Sequence, residues 1–448
     1  MKFLLILLLS SSTWASHASP KILSLKSQAA TIDRLLADKV KNTLPKLMRK
    51  NGIDLWIVMA REYNEDPVIR TLLPATWHAA RRRTILVMYD PGPELDIETF
   101  AVARYDVGAV FKKAWDKEKQ PDQWQRLIEI IKEKQPENIG LNYSDFEAQA
   151  DGLTHSEHQQ FLKALPEEFQ SKVVSAENLA INWLETRTKS EMAIYPQIVA
   201  IAHNILAQGL SNEAIQPGIT STEDLVWWFR EKVRSLGLKT WFHPSVSIQR
   251  ADASSFDHLR TFDSRPADNI IQAGDLLHVD FGITYLRLNT DTQQHAYVLK
   301  PGESDAPEYL KLALLNGNRL QDIFTDNFKV GRTGNQVLKK SRQEAIKEGI
   351  KPSIYTHPIG YYGHAAGTTL GMWDSQGGVP HTGDHPLHKN TAYAIELNAA
   401  TFIKEWNKEI RIMLEEDAFF DGNNVRYIHG RQTSFHLVSG FNSPQLGD

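Results

Sequence analysis

At 448 residues the chain is longer than one typical domain and long enough for two, each with its own core. Its 42% hydrophobic and 23% charged content is ordinary for a soluble globular protein, and a net charge of -4 with a pI near 6.5 argues against nucleic acid or an anionic membrane surface as partner. Cysteine is absent, which excludes a Cys nucleophile, a zinc finger, an iron–sulfur cluster and any disulfide; metal chemistry here must use His, Asp and Glu.

The N-terminus reads as a signal peptide: Lys2 is the positive segment, Phe3 to Leu9 the short apolar core, and Ser16 and Ala18 the small residues that set cleavage after Ala18. The apolar stretch is too short for an ordinary membrane span, and no other segment offers one, so residues 1–18 are set aside and the mature chain is expected outside the cytoplasm, periplasmic or secreted. Leu35, Leu36, Val40, Leu44 and Leu47 have helical spacing and predict a helix over 32–50. Apolar strands follow at Asp54–Ala60 and Thr84–Tyr89, the second ended by Asp90-Pro91-Gly92-Pro93. A helix at Gln123–Lys134 and a strand at Ile139–Asn142 complete an α/β pattern, giving an N-terminal domain over 19–180 and a second over 181–448. A helix opens at Ser190-Glu191. A second is expected after Pro217-Gly218, with Thr220 and Glu223 as a capping box, running through Leu225, Phe229 and Val233 to a stop at Gly237. Beyond it the pattern is strand-like with glycine-rich turns. There is no internal repeat.

Chemistry-bearing residues gather in this second half. Asp280 ends the apolar strand Gly274–Gly282, and Asp291 opens another, so a hairpin would set two carboxylates side by side, a repulsion that a divalent cation relieves. Taken alone, the pair is equally well read as a turn cap and an ion-paired Asp. His357 and His364 sit in the glycine-rich stretch Thr356–Gly367, where small neighbours admit a metal or substrate. Glu396 lies inside the apolar strand Ala392–Asn398, and Glu415, Glu416 and Asp417 lie in Ile410–Phe420. A buried carboxylate must be hydrogen-bonded, ion-paired or metal-bound.

The order Asp, Asp, His, Glu, Glu, with Asp291 eleven positions after Asp280, resembles the pita-bread metallopeptidases, which include aminopeptidase P, prolidase, methionine aminopeptidase and the metal-free creatinase. The resemblance covers nearly the whole mature chain and implies a creatinase-like α/β N-terminal domain followed by an α+β pita-bread catalytic domain. It implies that Asp280 binds one metal, that Asp291 and Glu416 each help bind two, that His364 in Gly363-His364-Ala365-Ala366-Gly367 is the metal imidazole, and that Glu396 completes the set. Glu416 is preferred to Glu415 because the family motif ends in Glu-Asp, matched by Glu416-Asp417. His258 and His357 resemble the family's substrate-contacting histidines, although His357 stands seven rather than four residues before His364. The chain also departs from the pattern at Gln293-Gln294, where an Arg is expected nearby, at Leu397-Asn398 in place of Pro-Gly, and at Gly371, where a His would fall.

The implied function is an exported dinuclear-metal peptidase that cleaves Xaa-Pro bonds near a peptide's N-terminus. A metal-bridging hydroxide would be the nucleophile, Glu396 would shuttle the proton, and His258 and His357 would steady the substrate. Two divalent ions are expected, manganese first, with cobalt, zinc or iron compatible with the same hard donors. The partner is a peptide. Homodimers are common among relatives, but no sequence feature establishes one. The rival readings are a non-catalytic binding module, or a hydrolase of an unusual amide, on the same fold. No Gly-x-Ser-x-Gly elbow or P-loop supports other hydrolase chemistry.

Overall fold

The computed structural model describes residues 21–252 and 269–439. The expected signal peptide and His258 therefore lie outside the described residues.

The N-terminal domain is built on a six-stranded mixed sheet in the order Lys112–Lys113, Glu98–Val102, Arg83–Tyr89, Leu55–Arg61, Ile139–Leu141, Val173–Ser175. Both faces of its central strands are covered. Trp56, Val58, Leu86 and Met88 face one core, and Leu55, Ile57, Ile85 and Val87 the other, as strand alternation requires. The helix expected over 32–50 is two helices, Leu25–Asn42 and Leu44–Lys50. Pro45 in the first turn of the second has no N–H to donate and its ring clashes with the preceding turn, so the first helix cannot run through.

The C-terminal domain is α+β. Three small antiparallel-rich sheets form its centre. One runs His436–Val438, Thr292–Val298, Leu276–Phe281, Ser245–Gln249; another Lys351–Ile354, Leu397–Ile403, Lys408–Leu414; the third His357–Pro358, Thr391–Ala394, Asp417–Phe420, Val425–Tyr427. Helices Lys189–Gly209 and Thr222–Ser235 pack apolar faces on the first sheet through Tyr195, Leu206, Phe229 and Phe281. The cap of the second of these helices sits one residue beyond the expected position: Ser221 and Asp224, not Thr220 and Glu223, satisfy each other's backbone N–H groups.

Two further helices, Glu308–Thr325 and Gly334–Lys347, stand where the sequence suggested only strands and turns. Leu310, Leu314, Leu320 and Phe324 form the buried stripe of the first, and Thr333 with Gln336 caps the second. Gly317 lets the first lie close on the sheet, since a Cβ there would stand 3.0 Å from Ile412 and Leu414. Among the described residues no helix is long and apolar enough to cross a membrane.

Candidate metal centre

Asp280 and Asp291 are set by a hairpin. Asp280 is the direct cross-strand partner of Gln293, and Asp291 lies two residues before Gln293, so all three side chains leave the same face. The hairpin tip turns at Leu286 and Arg287, both at positive φ (52° and 65°), between the paired Tyr285 and Leu288. Arg287 is anchored across the domain boundary by donating to the carbonyls of Leu73 and Pro74 at 2.7 and 3.1 Å. That anchor compensates for a turn conformation in which a side chain is unfavourable.

Glu396 and Glu415 do not lie inside continuous strands. Each sits where a strand leaves one sheet for another: Thr391–Ala394 gives way to Leu397–Ile403, and Lys408–Leu414 to Asp417–Phe420. Thr356 fixes the Glu396 backbone, its hydroxyl donating to Glu396 O at 3.0 Å and accepting from Glu396 N at 2.9 Å. Gln293 and Glu415 exchange backbone hydrogen bonds at 2.9 and 3.3 Å, which ties this break to the aspartate hairpin.

The donors form overlapping sets. Asp280, Asp291 and Glu415 have carboxylate oxygens mutually within 4.8 Å, and so do the donor atoms of His357, Glu396 and Glu415. Glu415 is common to both. His357 Nε2 lies 3.7 Å from Asp291 and 3.6 Å from Glu415. Its Nδ1 faces the Pro358 carbonyl at 2.9 Å and must carry the proton, because a carbonyl only accepts; Nε2 is thereby left as a bare donor aimed at the carboxylates. His364 also comes within reach of Asp291 and His357; the residue opens toward solvent at the rim, while its ring packs edge-on against Trp241 and His357.

One expectation is corrected. Glu416 is not in the cluster: consecutive strand residues face opposite ways, and it meets His203 Nε2 at 2.7 Å and accepts from Gln294 at 2.8 Å and from Gln432 N at 3.1 Å. Glu415 stands in its place. His357, cast as a substrate contact, is centred among the acids, and His364, cast as the ligand, also has a nitrogen within 4.8 Å of the Asp291 and His357 donors, at the rim of the cluster. Asp280, Asp291 and Glu396 each belong to one of the donor sets that share Glu415.

Sequence reasoning missed Gln293. Its amide donates to Glu396 at 2.5 Å and to Glu415 at 2.9 Å, while its oxygen meets His278 at 2.8 Å. Its position two residues from Asp291, on the same strand face, was the available signal. Asp417 stands behind the centre and accepts from Asp291 N at 3.2 Å.

The residues present fit metal. Asp291 Oδ1, Glu415 Oε1 and His357 Nε2 are buried without a hydrogen-bond partner, each an orphaned donor of the kind a cation satisfies. Burial, then Glu415, Asp280, Glu396 and Asp417, pushes the Asp291 carboxyl well above its ordinary range; burial, then Glu415 and Asp280, does the same to Glu396; and Glu415 is pushed up to about 8, chiefly by burial. Burial holds His357 below the usual imidazole value, and burial with His357 holds His364 down to about 4. The cluster opens into a cavity of about 660 Å³ walled by Trp241, Phe242, Tyr355, Met372 and Trp373, and no lysine or arginine lines it among the described residues.

Residues 195–419 match the sequence profile of Metallopeptidase family M24. The chain belongs to that family. Solved structures agree in fold. The M24 chain is similar to an X-Pro aminopeptidase from Thermotoga maritima, with a TM-score of 0.62 and 16% identity over 88% of this chain and 100% of that one. It is similar to an Xaa-Pro dipeptidase from Bacillus anthracis at TM-score 0.59 and 16% identity, covering 92% and 100%. The dipeptidase PepE from Mycobacterium ulcerans gives TM-score 0.59 and 16% identity, covering 92% and 99%. Among curated proteins none matches in sequence.

Proposed function

We propose that this M24 chain is an exported dinuclear-metal peptidase that cleaves Xaa-Pro bonds near the N-terminus of peptides. The observation that carries the reading is the pair of donor sets sharing Glu415 at the floor of an open cavity. Asp280, Asp291 and Glu415 would hold one divalent ion, and Asp291, His357, Glu396 and Glu415 the other. When bound, the ions supply Lewis-acid activation of water and of the scissile carbonyl. Hard carboxylates with one imidazole suit manganese, and also cobalt, zinc or iron.

The chain's own residues do the rest. Gln293 holds the carboxylates of Glu396 and Glu415 in fixed orientation, and Asp417 fixes the backbone of Asp291. Glu396 takes the proton from the attacking water and returns it to the departing amine. His364, neutral and exposed at the rim, hydrogen-bonds the substrate beside the reacting carbonyl. The aromatic wall of Trp241, Phe242 and Trp373 offers a dry surface to a pyrrolidine ring. The structural likeness to X-Pro aminopeptidase and Xaa-Pro dipeptidase supports the substrate class.

The test is hydrolysis of Xaa-Pro dipeptides and longer Xaa-Pro peptides by metal-stripped protein, alone and with added manganese, cobalt or zinc. Metal-restored release of the N-terminal residue is expected, and length preference separates dipeptidase from aminopeptidase. Retained metal with no turnover on any such peptide would overturn the reading and favour a binding role.

A further inference from the structure

A second histidine–carboxylate cluster shares no residue with the carboxylate centre and joins the helix Glu177–Glu185 to a loop of the C-terminal domain. Glu185 closes the helix Glu177–Glu185, and His385 and His388 belong to a loop of the C-terminal domain. Glu185 is fully buried. Its Oε1 lies 3.9 Å from His385 Nε2 and 3.9 Å from His388 Nδ1, and the three donors are mutually within 4.8 Å. These separations are too long for hydrogen bonds. They are only slightly wider than the roughly 3.3 Å between donors around a tetrahedral ion with bonds near 2.0–2.1 Å.

Two independent observations point to a ligand. Glu185 Oε2 and His385 Nε2 are both buried and have no hydrogen-bond partner, and Asn182 supplies the Glu185 carboxylate with a single donor, to Oε1 at 2.8 Å. Moreover, a carboxylate at a helix C-terminus faces the negative end of the helix dipole, and among the described residues no lysine or arginine comes within ion-pair distance of Glu185, Lys50 acting on it only from farther away. Neighbouring Arg187 is committed elsewhere, to the Leu184 carbonyl and to Glu191. The loop is also pre-set. Pro386 O accepts from Thr368, His388 O accepts from Thr391, and Leu387 exchanges backbone bonds with Gly331 and Arg332, so both rings are presented by a fixed backbone and stack at 5.3 Å.

The geometry points to a third metal site in this protein, in which Glu185, His385 and His388 bind one divalent ion of the zinc class. Two imidazoles and one carboxylate are borderline donors that suit zinc better than magnesium or calcium, with water free to complete the tetrahedron. The ion clasps the helix Glu177–Glu185, which packs on the N-terminal core through Leu179, Trp183 and Leu184, to the loop that carries His385 and His388. It also braces Gly367, whose backbone lies so close to Glu185 that a Cβ would stand 2.7 Å from Oε2, and which shares a segment with His364.

The experiment uses the full chain with the carboxylate centre disabled by Asp291→Asn and Glu415→Gln, loaded with zinc, dialysed and assayed by elemental analysis. About one zinc per chain should remain, as three protein donors retain it, and adding His388→Gln should remove it. A melting temperature that rises with zinc only while His385 and His388 are intact is the second readout. The inference is overturned if the folded double variant holds no zinc, or if His388→Gln leaves its zinc content unchanged. Should the double variant not fold, zinc-loaded wild type and His385→Gln are compared instead: a loss of about one ion supports the site, and equal content overturns it.

Discussion

Two buried charged regions of this molecule solve the same problem in opposite ways. At the domain junction, Lys39, Arg187 and Glu191 are all buried, with Glu191 Oε1 at 3.9 Å from Lys39 and 3.3 Å from Arg187 and accepting from Tyr361 at 2.7 Å. Burial alone would raise the Glu191 carboxyl, but Arg187 and Lys39 outweigh it and hold the group below its ordinary value. Lys39 is spread over Trp183 and Tyr361 at 4.7 and 4.4 Å and donates to Thr186 O at 2.7 Å. Here the chain carries its own countercharges. At the metal centre, Asp280, Asp291, Glu396 and Glu415 converge with a bare imidazole, no lysine or arginine lines the cavity among the described residues, and the carboxyls of Asp291, Glu396 and Glu415 are pushed up rather than down. A region that supplies its own cations is complete as folded; one that does not is built to receive them.

The comparison breaks first at Asp291. Asp291→Asn removes a donor from the centre of the cluster, and hydrolysis should fall by about a thousandfold or more, since metal activation is worth several kcal/mol. Metal content measured on the same sample should fall with it; turnover within tenfold of wild type would sink the assignment. Glu191→Gln makes the complementary break. It leaves Lys39 and Arg187 buried without their anion, and should cost about 3–5 kcal/mol in urea unfolding with no direct effect on metal content. A cost below about 1 kcal/mol would mean the junction cluster is not balanced as described.

Proton linkage sharpens the same contrast. Glu415 titrates at about 8 in the folded, metal-free protein and near the ordinary 4.3 when unfolded. Between those values the folded state holds a proton that the unfolded chain has lost, so the stability of metal-free protein should fall as pH rises from about 5 to 8. Asp291 and Glu396, shifted in the same direction, add to the slope. Metal displaces those protons, so the loaded protein should show a flatter profile and a widening gain in melting temperature across this window. Parallel profiles with and without metal would contradict the carboxylate assignments.

What the sequence made legible follows from how local each signal is. The helix Gln123–Lys134 and the strand pairing of Asp280 with the Asp291 segment depend on nearby residues, and both are found where the pattern places them. The helix Glu308–Thr325 was missed although Leu310, Leu314 and Phe324 carry its period, because glycine and asparagine within it read as turn residues when the sheet that buries Gly317 is unseen. The strand expected through Glu396 is broken there, since a sheet-to-sheet crossing leaves no mark in an apolar run. His357 and His364 could not be ranked from spacing, because the choice turns on which ring nitrogen faces a carbonyl.

The smallest expected effect is the most discriminating, because it separates two adjacent glutamates. A motif that ends in Glu-Asp selects Glu416, yet strand alternation sends Glu416 to the far face, onto His203, whose other nitrogen meets His429 at 3.0 Å. Glu415→Gln should therefore abolish metal retention, whereas Glu416→Gln should keep both ions and lower activity by about 10–100-fold at most, the scale of a group that only supports its surroundings. Equal loss in the two variants would place Glu416 in the metal site after all and require the strand break at Glu415–Glu416 to be arranged differently. A normal Glu416→Gln beside a dead Glu415→Gln establishes instead that the register of Gln293 against Glu415, rather than the order of letters in the motif, selects the donor.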